Sequence, residues 1–159
     1  MTPTTLQALR RLLFFSVEEA ARWVAADADH PAGVSPRAWQ YWERGGRPVP
    51  DAVAERLRGM VAWRGQALAT AEAALQTQRR AHGEPAGITV LWYATADDWA
   101  TLPGRDPAMW RPHQSMLAEL VARHGVRPVP FDGPAYAAWR GRRGDSDSLR
   151  AAWSAGAPV

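Results

Sequence analysis

The stretch Ser35-Pro36-Arg37-Ala38-Trp39-Gln40-Tyr41-Trp42-Glu43-Arg44-Gly45 constrains this chain more tightly than any other. Ser35 is suited to cap a helix, and Pro36 fits its first turn, where the missing N–H removes no bond. Gly45 supplies a stop. Helical spacing places Ala38, Trp39 and Trp42 on one apolar face. It places Arg37, Gln40, Tyr41 and Arg44 on the opposite face, and each of these carries a hydrogen-bond donor. Two tryptophans oblige this short helix to pack on others, while its outward face suits the reading of DNA base edges. The competing description is an ordinary amphipathic helix with a solvated face.

The flanking sequence supplies packing partners. Thr4 or Thr5 can cap a first helix whose apolar stripe is Leu6, Leu9 and Leu13. Ser16-Val17-Glu18-Glu19 is a capping box opening a second helix, predicted from Ser16 to about Ala25, with Val17, Ala20, Ala21 and Val24 inward. Asp27 to Gly33 reads as a loop. After Gly45-Gly46-Arg47-Pro48-Val49-Pro50, Asp51 caps a long helix reaching about Gln78. Its Val61, Leu68 and Leu75 recur every seventh position, a hint of a helix–helix seam.

His82-Gly83-Glu84-Pro85-Ala86-Gly87 marks the domain boundary, giving units of 1–83 and 84–159. Beyond it, Ile88 to Tyr93 has the β-branched and aromatic content of a buried strand. Thr95 caps a short helix. Asp106-Pro107 opens a longer one ending at His124-Gly125, and Val126 to Phe131 reads as a second strand that its prolines confine to an edge. Helices are expected at Pro134–Arg142 and Ser148–Ala155. The class is mainly α with a small α/β part: an N-terminal helix-turn-helix bundle joined by a long helix to a C-terminal α/β domain.

Charge is unevenly placed. The 159 residues hold 19 basic side chains, all Arg, against 16 acidic ones. Residues 1–83 carry 11 Arg and 8 acids; residues 84–159 carry 8 and 8, so the whole +3 excess lies with the opening helix. Arg suits bidentate contact with phosphate or guanine, although GC-rich codon usage also favours it over Lys. With no Cys, disulfide frameworks and thiolate metal or redox sites are excluded. Leu12-Leu13-Phe14-Phe15 is too short for a signal or membrane span, so a soluble cytoplasmic chain is expected.

In the helix-turn-helix reading the second helix lies across the groove, its N-terminus at Ser16 facing phosphate, and the third enters it. Arg37, Gln40 and Tyr41 are then the candidate base readers, Arg37 toward guanine and Gln40 toward adenine. Ser35, Arg44 and Arg47 suit backbone contacts, and Pro36 sits with them at the helix start. Nothing supports an enzyme, a metal site or a cofactor. The four histidines (His30, His82, His113, His124) lack ligand spacing, and nucleotide-binding glycine motifs and a nucleophile elbow are missing. Asp97-Asp98 and Asp145-Ser146-Asp147-Ser148 read as helix starts.

Ser16-Val17-Glu18-Glu19-Ala20-Ala21, followed by Trp39 to Gly45 and Pro48-Val49-Pro50-Asp51, resembles the phage-repressor (XRE/Cro) helix-turn-helix. With Leu6-Gln7-Ala8-Leu9-Arg10 and Trp39-Gln40-Tyr41-Trp42-Glu43, the chain resembles more closely the YdiL-type family, which includes repressors associated with anti-CRISPR operons. The likeness covers residues 4–80 well. Beyond them it rests on 88–93 and on Trp110-Arg111-Pro112-His113-Gln114-Ser115. It implies that the C-terminal α/β part is a dimerisation domain and that the chain is a homodimer on an inverted-repeat operator in double-stranded DNA, repressing its own operon, with RNA as a further ligand in some relatives. One departure is plain: about eight extra residues, Ala26 to Gly33, separate the second and third helices. Asp27 and Asp29 should turn this loop away from phosphate. The alternative function is an antitoxin-like interaction module, whose neutral second half would bury Trp139 or Trp153 against a protein partner.

Overall fold

A computed structural model describes residues 1–82 and 87–156. The fold is mainly helical with a small α/β part, as the sequence predicts, and the described strands pair as one parallel sheet. The chain forms two compact units. The first is Met1–Gln66 with Arg111–Ser115; the second is Ala67–Trp110 with Met116–Val159. The boundary expected between residues 83 and 84, within the break at 82–87, lies outside the described residues.

In the first unit, helix α1 spans Pro3–Leu12. Its cap is Thr2 rather than Thr4 or Thr5, because Pro3 fixes the first turn three residues before the apolar stripe begins at Leu6. Leu6 and Leu13 are fully buried. The helix ends in a Schellman turn: Phe14 N–H donates to Arg11 C=O (3.0 Å) and Phe15 N–H to Arg10 C=O (3.1 Å). Phe14 takes the left-handed conformation (φ +65°) that glycine usually supplies there.

Helix α2, Val17–Glu19, begins with the expected capping box. Ser16 Oγ accepts from Glu19 N–H (3.1 Å), and Ser16 N–H donates to Glu19 Oε2 (2.8 Å). The continuation Ala20–Val24 winds as a π turn, not the α-helix expected. Ala25 N–H reaches Ala20 C=O (3.2 Å), which leaves the Ala21 carbonyl to accept from Val34 N–H (2.9 Å). The long loop therefore closes back on the helix it leaves. Asp27 Oδ1 accepts from His30 N–H (2.6 Å), and Arg56 Nη1 donates to Ala26 C=O (2.8 Å). Gly33 makes the return possible at φ +77°; a Cβ there would collide with the Ala21 and Arg22 carbonyl oxygens. Gly33→Ala should therefore destabilise this unit by more than about 1 kcal/mol, read as a lower urea midpoint at unchanged slope.

Helix α3 is Pro36–Glu43, capped by Ser35 and stopped by Gly45 at φ +76°. Helix α4 runs without a break over Asp51–His82. Asp51 is its first helical residue rather than its cap, since the Pro50 carbonyl already accepts from Ala54 N–H (3.0 Å).

In the second unit, β1 (Thr89–Trp92) pairs in parallel with β2 (Arg127–Pro130), Thr89 opposite Arg127 and Trp92 opposite Pro130. Both strands are edges, so Pro128 and Pro130 are tolerated. Between them lie α5 (Ala96–Ala100), capped by Thr95, and α6 (Trp110–His124), entered by a 3-10 turn over Pro107–Met109 that Asp106 caps. Helices α7 (Gly133–Arg140) and α8 (Asp147–Ser154) each start one residue before the expected position, because Asp132 and Ser146 are the caps. Leu68 and Leu75 of α4 pack with Met116, Leu117 and Leu120 of α6 and with Val126. Two of the three residues recurring at every seventh position, Leu68 and Leu75, are thus used within the chain, and Val61 is half-buried outside this cluster.

Elsewhere in this unit, aromatic rings surround a cation. Arg150 is 1% exposed and lies 4.7 Å from the Phe131 ring centroid, 5.4 Å from Tyr136 and 5.8 Å from Tyr93. Asp145 answers it, accepting from Nη2 at 2.6 Å and from Nε at 3.0 Å.

Candidate nucleic-acid interface

The inner face of α3 fixes where its outer face points. Trp39 is wholly buried and meets Trp42 edge to face, with centroids 5.6 Å apart. Glu43, the acid on this helix, is turned inward. Arg10 of α1 donates to it through Nε (2.6 Å) and Nη2 (3.2 Å), and Trp39 Nε1 adds a third bond (2.8 Å). Arg10 Nη1 also donates to Phe15 C=O (2.8 Å), so one guanidinium ties α3 to the end of α1. Burial opposes ionisation of Glu43. The hydrogen bonds from Arg10 and Trp39 and the charge of Arg10 outweigh it and hold the carboxyl below its ordinary value.

With Glu43 withdrawn, the outer face carries no acid. Arg37, Gln40, Tyr41 and Arg44 together line a surface recess of about 360 Å³. Arg37 and Arg44 are exposed, Gln40 is half-buried and Tyr41 is 40% exposed. Arg37 Nη2 donates to Tyr41 OH at 3.2 Å, and its guanidinium lies 5.7 Å from the Tyr41 ring centroid. Arg47, from the turn after α3, lies 6.0 Å from the same centroid. That turn is a second Schellman motif: Gly46 N–H donates to Tyr41 C=O (2.9 Å) and Gly45 N–H to Trp42 C=O (3.2 Å).

Of the residues expected at an interface, five are thus brought together: the four lining the recess, and Arg47 against Tyr41. Ser35 and Pro36 occupy the first turn of the same helix, and Ser35 Oγ accepts from Ala38 N–H (3.2 Å). Ser16 caps α2 and is not among the residues lining the recess. Its partner Glu19 also accepts from Arg111 Nη2 (2.7 Å). Sequence reasoning missed the role of Glu43. The available signal was Arg10, a cation set between Leu6 and Leu13 on an apolar stripe.

Among the described residues there is no acid–histidine cluster suited to a metal and no helix long and apolar enough to cross a membrane. The Aca2/YdiL-like family matches residues 1–129. The Aca2 repressor of Pectobacterium phage ZF40 is 34% identical over 119 residues, which covers 74% of this chain and 90% of that relative. The uncharacterized protein YdiL of Escherichia coli K12 is 35% identical over 60 residues, 38% of this chain and 46% of that protein.

Proposed function

This chain belongs to the Aca2/YdiL-like family, and from that premise we propose that it is a sequence-specific DNA-binding repressor of its own operon. It acts as a homodimer on an inverted repeat, with α2 and α3 as the two helices of a helix-turn-helix. The observation that carries this reading is the acid-free recess of Arg37, Gln40, Tyr41 and Arg44 on a helix held down by two tryptophans. The +3 excess of residues 1–83 and the likeness to a phage repressor support it.

Arg37 and Gln40 present the donor and acceptor patterns that guanine and adenine require in the major groove. Ser35, Pro36, Arg44 and Arg47 flank them at the ends of α3, where contacts to phosphate set register. Ser16 offers a further backbone contact at the start of α2. Selecting bound fragments from a random duplex pool should recover two inverted half-sites. Failure to retain any duplex sinks the proposal. Within the selected site, Arg37→Ala and Gln40→Ala should each cost about 1–3 kcal/mol and relax one base position. Arg44→Ala or Arg47→Ala should weaken all sequences alike and lower the salt slope by about one.

A further inference from the structure

We propose that Tyr41 is a positioning residue that fixes the Arg37 guanidinium and gathers Arg47 beside it, rather than reading a base of its own; this rests on the DNA-recognition reading above. An exposed arginine carries much rotamer freedom, which binding must remove. Arg37 has part of that freedom removed in the free protein. Its Nη2 is bonded to Tyr41 OH, one helical turn on, and its guanidinium carbon lies over the Tyr41 ring. That bond uses one corner of the guanidinium and leaves another N–H edge for a bidentate acceptor such as guanine.

The ring itself has a platform. A Cβ on Gly46 would lie 3.2 Å from Tyr41 Cδ1, closer than such contacts usually come, so the ring rests on bare backbone. Gly46 is held there by its bond to the Tyr41 carbonyl (2.9 Å). The turn that ends α3 thereby sets the phenol, and the phenol sets the arginine. Arg47 on the same ring places a second cation beside the first, and the ring's negative face offsets their mutual repulsion.

The test is a double-mutant cycle on the duplex recovered by selection, measured in the full chain. Tyr41→Phe should lose roughly threefold to tenfold in affinity, the size of one hydrogen bond, with the loss confined to the base position that Arg37→Ala relaxes. The double variant should bind within about twofold of Arg37→Ala alone. Tyr41→Leu, which also removes the ring face, should weaken every sequence. In the free protein, the Arg37 side-chain N–H order parameter should exceed that of Arg44 and fall to it in Tyr41→Phe. Additive losses, or relaxation at a different base position, would mean that Tyr41 reads for itself and would overturn this assignment alone. An Arg37 as mobile as Arg44 in the wild-type chain would also overturn it. Recovery of no duplex by the wild-type chain overturns the DNA reading and this assignment together.

Discussion

Replacing Glu43 with Ala should destabilise the first unit by about 3–5 kcal/mol, as expected when one member of a buried ion pair is removed. The pair is well sequestered: the Arg10 and Glu43 side chains are 10% and 8% exposed. Without Glu43, the Arg10 guanidinium keeps its bond to Phe15 C=O but loses both charged bonds, and Trp39 Nε1 loses its acceptor. The desolvation of Arg10 then stands uncompensated. Replacing both partners, as Arg10→Met with Glu43→Leu, should recover most of the loss, because two apolar side chains leave no buried charge. Hydrogen exchange of α1 and α3 amides reads this unit directly. An Ala variant that exchanges like the wild type would show that the pair contributes nothing.

The same pair predicts acid sensitivity. Glu43 has its pKa lowered in the folded protein, from an ordinary 4.5. Its contribution is complete above that ordinary value and is lost as pH falls below it. Glu43→Gln should flatten this dependence while keeping a hydrogen-bond acceptor in place.

Asp145→Ala should cost the second unit a comparable amount, about 3–5 kcal/mol. Arg150 is still more enclosed than Arg10, and its other polar partners, Thr101 Oγ1 (3.0 Å) and Tyr93 OH (3.4 Å), are neutral. The surrounding rings stabilise a cation but do not neutralise it. Hydrogen bonding from Arg150 outweighs desolvation and, with that from Tyr136, brings the Asp145 carboxyl down to about 2. Burial first, and then Asp145, pushes the Tyr136 phenol up to about 12, so it remains a donor (2.6 Å to Asp145 Oδ1) throughout ordinary conditions. The sign of the pH effect follows. Above the ordinary value of 3.8 the stabilisation is complete, and it fades as pH drops toward about 2. Amide exchange in β1 and β2 should accelerate over that window in the wild type and be fast already at neutral pH in Asp145→Ala. Unchanged exchange in the variant would show that the aromatic rings alone sustain Arg150.

Local chemistry made much of this chain legible. Ser16, Ser35, Thr95 and Asp106 cap where their short polar side chains predict. The two faces of α3 follow from spacing alone, with Trp39 and Trp42 inward. Both strands declare themselves by composition, and their parallel pairing agrees with the helices between them. What stayed hidden depends on pairs distant in sequence. Arg10 and Glu43 are 33 positions apart; helical spacing puts Arg10 between Leu6 and Leu13 and Glu43 one turn after Trp39, but nothing local says that the two will meet. Asp145 lies only five residues before Arg150 and reads as part of a helix start; its role emerges only once three aromatic rings converge from separate elements. The π turn is equally silent, since it is selected by where the chain must return at Val34 and not by any propensity of Ala20 to Val24.

That return has a consequence for how tolerant the chain is of change. The excursion between the π turn and α3 is closed at its base, by Arg56 on Ala26 and by Val34 on Ala21, with Gly33 pressed against the helix between them. Its exposed tip is held by turns of its own, His30 C=O accepting from Asp27 N–H (3.2 Å) and from Gly33 N–H (2.8 Å). Because closure entropy grows only slowly with length, residues added between Ala28 and Asp29 should lengthen the tip while Gly33 and the start of α3 keep their place. A reporter or affinity tag inserted there should leave the helix that follows undisturbed.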